Sequence, residues 1–117
     1  GCSDQAEREE LRAFIEKTSL TVTGLLNTHG HIDHVLGNAF VARTYGVPLQ
    51  LPAADLPTLR AVKSYAAIWG FPDYEELLPE ILLKPGDTVR FGSAELEVLA
   101  VPGHAPGHVA FVNRVEN

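Results

Sequence analysis

Five histidines are the residues with the clearest chemical potential in this sequence, and all of them lie in two short windows. The first window holds His29, His31 and His34, and the second holds His104 and His108. Each window stands where a segment with a strand pattern gives way to a loop. Because α/β proteins often place ligand-binding groups at such positions, the two windows predict one shared functional site.

The spacing of the first window suits metal binding. In an extended chain His29 and His31 point to the same side, and both can reach one ion at about 2.0–2.1 Å. Asp33, two residues after His31, would point to the same side of an extended chain, and His34 lies at the start of the next helix. This pair therefore suits a second divalent ion or a metal-bound water. His104 would then complete a three-histidine site with one open position, which is the arrangement of a catalytic zinc.

Other residues near these windows receive supporting roles. Taken alone, His104 would as readily pack its own loop, and only the first window favours its role as a ligand. His108 and Thr28 are expected to support the ligands without binding the metal. The aromatic residues Tyr65, Phe71 and Trp69 are expected in the core or in a lid.

The elements that must position these residues alternate between helix and strand, which indicates α/β layering. Helices are predicted over 3–18, 35–44 and 55–69, with a further short helix starting near 73. Asp4 and Glu7 have the spacing of a capping box at the start of the first helix, and Gly46 is expected to end the second. Strands are predicted over 20–27, 47–51 and 109–113, and as a hairpin over 88–91 and 94–101. Asp55 is predicted to cap the third helix, with Pro57 in its first turn.

Composition limits the classes of function. The 117 residues are enough for one domain, and the formal net charge of −6 argues against a nucleic-acid partner. The sequence has no apolar run near the roughly 20 residues that a membrane helix needs, so no membrane partner is expected. Cys2 is the only cysteine, which rules out an intrachain disulfide. A soluble, cytoplasmic protein is therefore expected.

The two windows resemble the metal-binding motifs of the metallo-β-lactamase-fold hydrolases, in particular the glyoxalase II-like thioesterases. The sequence THGHIDH at residues 28–34 is similar to the family's metal signature. The sequence PGHAPGH at residues 102–108 is similar to its downstream Pro-Gly-His loop, and the order and the gap of about 70 residues also agree.

The resemblance implies an αββα sandwich and a binuclear site. It implies that His29, His31 and His104 bind one metal, and that Asp33 and His34 bind the second. A metal-bound hydroxide would attack the substrate carbonyl, with Asp33 as the catalytic residue that orients it or moves a proton. Two zinc ions are implied for the intact protein, and iron or manganese would suit the same donors.

Parts of the family pattern are absent from the sequence. The bridging aspartate and the last metal histidine of the family would follow residue 117, and an N-terminal hairpin would precede residue 1. Residues 1–117 are therefore expected to be a partial, internal piece of the domain. Half of a sandwich on its own would leave sheet edges uncovered. The alternative to a partial piece of one domain is therefore that this chain pairs with a separate chain, either the missing half or a second copy of itself.

The leading hypothesis is a metal-dependent hydrolase that acts on a small-molecule thioester or related ester. Another chemistry of the fold is the first alternative: hydrolysis of a lactone, β-lactam or phosphodiester, or iron-dependent sulfur oxidation. The second alternative is a non-catalytic metal-binding module that pairs through its sheet edge. The 117-residue chain by itself is expected to be weakly active or inactive.

Overall fold

The computed structural model describes residues 4–101, 103 and 105–113. The helices are α1 (Gln5–Thr18), α2 (Ile32–Val35), α3 (Asn38–Tyr45) and α4 (Leu56–Tyr65), with a 3-10 turn at Ala53–Asp55 before α4. The strands are β1 (Leu25–Leu26), β2 (Leu49–Pro52), β3 (Ile81–Leu83), β4 (Thr88–Phe91), β5 (Ala94–Ala100) and β6 (Val109–Val112). His104, the predicted third ligand, lies outside the described residues.

The strands form two three-stranded sheets of opposite kind. Strands β1, β2 and β3 are parallel, with Leu25 beside Leu49 and Leu51 beside Leu82. Strands β4, β5 and β6 are antiparallel, and the turn between β4 and β5 confirms the predicted hairpin. The parallel connections need crossovers, which α2, α3 and α4 supply between β1, β2 and β3.

The parallel sheet lies between a helix layer and the antiparallel sheet. On one side, Leu51 of β2 packs with the fully buried Leu59 and Val62 of α4. On the other side, Leu83 of β3 belongs to a second cluster with Val98 of β5. The order helix, sheet, sheet gives three of the four layers of the predicted αββα sandwich.

Local signals for helix ends are confirmed where they are strongest. The Asp4 carboxylate accepts a hydrogen bond of 2.8 Å from the backbone N–H of Glu7, as the predicted cap of α1 requires. Helix α3 ends at Gly46, which adopts the left-handed conformation with φ of 65°. No helix in the described part of the chain is both long and apolar enough to cross a membrane.

Three predicted elements differ from the structure. Strand β1 covers only Leu25–Leu26 of the predicted range 20–27, and α4 ends at Tyr65, four residues early. The predicted short helix near residue 73 is wrong, and β3, which was not predicted, follows that segment. Tyr74 packs against the core there, so tertiary packing overrides the local helix signal.

Candidate metal centre

The topology brings both histidine windows to one edge of the parallel sheet. The first window follows β1 directly, and the 3-10 turn follows β2 at the same edge, as in other parallel sheets. The second window lies between β5 and β6. Its end is tied to the first window because the N–H of Val109 donates to the carbonyl of Thr28 over 3.0 Å.

Imidazole rings from both windows converge on His29, which is 2% exposed. Its ring centroid lies 4.9 Å from that of His31 and 4.0 Å from that of His34. The ring of His108, from the second window, lies 4.3 Å away. The structure therefore brings together the four predicted histidines that it describes.

Thr28 lies beside this cluster, and its supporting role stays a prediction. Its hydroxyl lies 2.9 Å from Nδ1 of His29. A hydrogen bond at one ring nitrogen fixes the orientation of the ring and directs the other nitrogen toward a metal. The buried Nε2 of His29 is thus the nitrogen that would bind an ion.

Asp33 and His34 lie on a helix, so the prediction of an extended chain from His31 to Asp33 is wrong. Helix α2 begins at Ile32, because Ile32 and Val35 anchor one helical turn in the core. The side chains of Asp33 and His34 are 76% and 44% exposed, and Oδ2 of Asp33 lies 3.4 Å from Nε2 of His34. The two predicted donors for the second metal therefore lie side by side at the surface.

The chemistry of these donors fits a divalent ion. Neutral imidazoles and a carboxylate bind zinc, iron and manganese. Among the residues that the structure describes, however, no three His, Cys, Asp or Glu side chains already meet at one point to hold an ion. Completing the first site depends on His104, so the ligand roles of all five residues stay predictions.

Asp55 is the residue that the sequence interpretation misassigned. It was predicted to cap α4, but its side chain makes no capping hydrogen bond. Its carboxylate is fully buried and accepts hydrogen bonds from the backbone N–H groups of Gly30 and Gly107, the latter over 3.1 Å. Gly30 belongs to the first histidine window and Gly107 to the second, so Asp55 connects the two windows. No local sequence signal could have shown this connection.

A buried amide pair also holds the first window and was not predicted. Asn27 and Asn38 exchange two side-chain hydrogen bonds of 3.2 Å and 2.7 Å. Both residues are buried, at 5% and 3% exposure. The pair joins the end of β1 to the start of α3, and Asn27 also donates to the carbonyl of His34 over 3.4 Å.

A cavity of about 360 Å³ opens beside the histidine cluster. It is lined by the window residues His31, Ile32 and Asp33 and by the aromatic pair Tyr65 and Trp69. The rings of that pair are 5.6 Å apart. Tyr65 packs partly against the core as expected, whereas Trp69 is 65% exposed beside the cavity, so the core is wrong for it and the lid stays a prediction.

Comparisons with known proteins agree with this architecture. The metallo-beta-lactamase superfamily profile matches residues 1–117. A hydroxyacylglutathione hydrolase from a Synechococcus strain is 37% identical over 109 residues, which cover 92% of this chain and 36% of that protein. The chain spans about a third to a half of the length of the curated relatives it matches.

Solved structures show the same fold. The crystal structure of TTHA1623 in a di-iron-bound form is 33% identical, with a TM-score of 0.79 over 97% of this chain and 55% of that one. The class B3 di-zinc metallo-β-lactamase LRA-12, from an Alaskan soil metagenome, is 25% identical, with a TM-score of 0.75 over 92% of this chain and 43% of that one. On the profile match, the fold and the two histidine windows, the chain belongs to the metallo-β-lactamase superfamily.

Proposed function

We propose that the protein is a metal-dependent hydrolase of a thioester or related ester. The observation that carries this proposal is the convergence of imidazole rings from two distant windows on His29. Clustered imidazoles beside a carboxylate are the donor set of a hydrolytic metal site. The curated relative at 37% identity, named a hydroxyacylglutathione hydrolase, favours the thioester among the ester substrates.

The residues have separate proposed roles. His29, His31 and His104 would hold one divalent ion, and Asp33 with His34 would hold a second, most simply zinc. Such ions supply a more acidic water and polarise a carbonyl group. The carboxylate of Asp33 lines the cavity, where it can orient the attacking water and accept its proton. His108 and Thr28 would keep the ring of His29 in place.

The cavity indicates where the substrate would lie. Its histidine and carboxylate wall would face the scissile carbonyl, and Tyr65 and Trp69 would contact an apolar part of the same molecule. We therefore propose a small-molecule substrate. The location of the protein in the cytoplasm stays a prediction.

The test is hydrolysis of S-lactoylglutathione by the full-length gene product, with and without a chelator. We expect turnover that the chelator abolishes and that added Zn²⁺ restores. A β-lactam serves as the comparison substrate, because the class B3 di-zinc metallo-β-lactamase shares the fold at 25% identity. Turnover that survives complete removal of metal would contradict the proposal, and preferential turnover of the β-lactam would favour the alternative chemistry.

A further inference from the structure

We infer that Asp55 is a positioning residue that fixes the distance between the two histidine windows, and this inference rests on the proposed metal site. Its two carboxylate oxygens accept from two backbone N–H groups that are 77 positions apart in the chain, those of Gly30 and Gly107. Gly30 lies between His29 and His31, and Gly107 precedes His108. One side chain thus ties together the backbones that carry the proposed ligands.

The burial of Asp55 indicates a specific role. A carboxylate at 0% exposure loses the solvation of its charge, which is costly unless hydrogen bonds replace the water. Backbone N–H groups are good partners for a carboxylate, since bonds to an ionised acceptor are stronger than neutral ones. Both of these donors come from the histidine windows, so the carboxylate is satisfied only when the windows have come together.

The local position of Asp55 supports the same conclusion. It stands at the start of α4, where an aspartate commonly accepts from the N–H groups of its own helix. Here the carboxylate turns away from α4 and toward the windows. Residues that depart from the local sequence rule, as Asp55 does by bonding to distant backbone and not to its own helix, are often found at functional sites.

The two glycines fit against the turn that carries Asp55. A Cβ atom at Gly107 would lie 2.5 Å from the backbone nitrogen of Asp55, and one at Gly30 would lie 3.1 Å from its carbonyl oxygen and 2.7 Å from the nitrogen of Leu59. Both windows therefore contact this turn directly through backbone. The close contact leaves no room for a side chain between each window and the turn. The two hydrogen bonds to the carboxylate then fix which backbone N–H group of each window faces Asp55.

The experiment measures metal binding by the full-length gene product and its variants. Asp55→Asn keeps the size of the side chain but places an amide N–H₂ group against one of the two N–H donors, which then has no acceptor. The matched control is Val62→Ala, which removes fully buried volume from the core beneath α4 but leaves both hydrogen bonds of Asp55 in place. Zn²⁺ affinity is measured by competition with a chromophoric chelator, and Co²⁺ absorption reports the geometry of the bound ion.

We expect Asp55→Asn to weaken Zn²⁺ binding about 10- to 100-fold and to change the Co²⁺ spectrum, as loss of a residue that orients ligands does. Val62→Ala should lower the thermal midpoint at least as much, yet leave Zn²⁺ affinity within about threefold and the Co²⁺ spectrum unchanged. Unchanged affinity and spectrum in Asp55→Asn would overturn the inference, and so would equal loss of affinity in both variants.

A second measurement separates this inference from the proposed function and does not need a folded variant. In the metal-free wild-type chain, the amide protons of Gly30 and Gly107 should exchange slowly with solvent. Fast exchange at both would overturn the inference. A wild-type chain that binds no Zn²⁺ would contradict the proposed function, whereas slow exchange at the two glycines would still support the role of Asp55.

Discussion

The inner and outer donors of the candidate site differ in how firmly the chain holds them. The inner donors, His29 and His31, lie on the loop after β1, where Thr28 and Asp55 contact the same loop. The outer donors, Asp33 and His34, lie on the four-residue α2 with side chains 76% and 44% exposed. The chain therefore preorganises the inner half of the site and leaves the outer half open to solvent.

This difference has a physical origin in the surrounding core. The inner loop is fixed by a buried carboxylate and lies beside a buried amide pair, each of which would be costly to leave unsatisfied. The outer donors are exposed, and α2 is anchored in the core by Ile32 and Val35 on its other face. Changes at the outer donors should thus affect chemistry, and changes around the inner loop should affect folding as well.

The largest expected effect is on turnover by an outer donor. Asp33→Asn should lower the rate of thioester hydrolysis by the full-length gene product about 10²- to 10⁴-fold, because the amide cannot accept a proton. The free energy of unfolding should change by less than about 0.5 kcal/mol, since the side chain is exposed. Steady-state kinetics and urea unfolding on the same preparation check both parts. If Asp33→Asn also lowered the free energy of unfolding by several kcal/mol, the proposed difference between outer and inner donors would be wrong.

A smaller effect is expected from the contact that closes the inner loop. Gly107→Ala should lower the free energy of unfolding by about 1–3 kcal/mol, because the new methyl group overlaps the backbone at Asp55. Gly24→Ala is the matched control, since a Cβ there meets only the end of the Gln50 side chain at 3.5 Å. Urea unfolding of both variants tests the prediction, and equal stabilities would show that the close packing is not required.

The smallest effect concerns the aromatic side of the fold rather than the donors. Burial, with added repulsion from Glu76 and Tyr65, raises the pKa of Tyr74 from 10.0 to about 12. The folded state thus favours the neutral phenol, so its contribution is complete below pH 10 and is lost as the pH rises from about 10 to 12. Tyr74→Phe should flatten the stability profile in this range. If Tyr74→Phe lost stability between about pH 10 and 12 as the wild type does, a group other than Tyr74 would be responsible for that loss.

The two histidine windows could be identified from the sequence because each depends on residue types at short spacing. The histidine windows, the hairpin over β4 and β5, and the cap at Asp4 all follow from patterns within a few residues. The fold class followed from the alternation of elements and from the resemblance. Each of these signals is local, or repeats along the chain.

The support of the site could not be predicted in the same way. Asp55 has the local pattern of a helix cap, and only the folded chain shows that the N–H of Gly107, 52 positions away, donates a hydrogen bond to its carboxylate. The Asn27–Asn38 pair and the parallel strand β3 likewise depend on distant partners. Trp69 continued the apolar stripe of α4 in sequence, but the helix ends before reaching it.

The most direct test of the account is elemental analysis of bound metal in the purified 117-residue chain, prepared without chelators and compared with His31→Ala. We predict about one zinc ion per wild-type chain and little or none in the variant, because two remaining imidazoles hold a divalent ion poorly. A wild-type chain without metal, or a variant that retains a full equivalent, would contradict the assignment of the inner site.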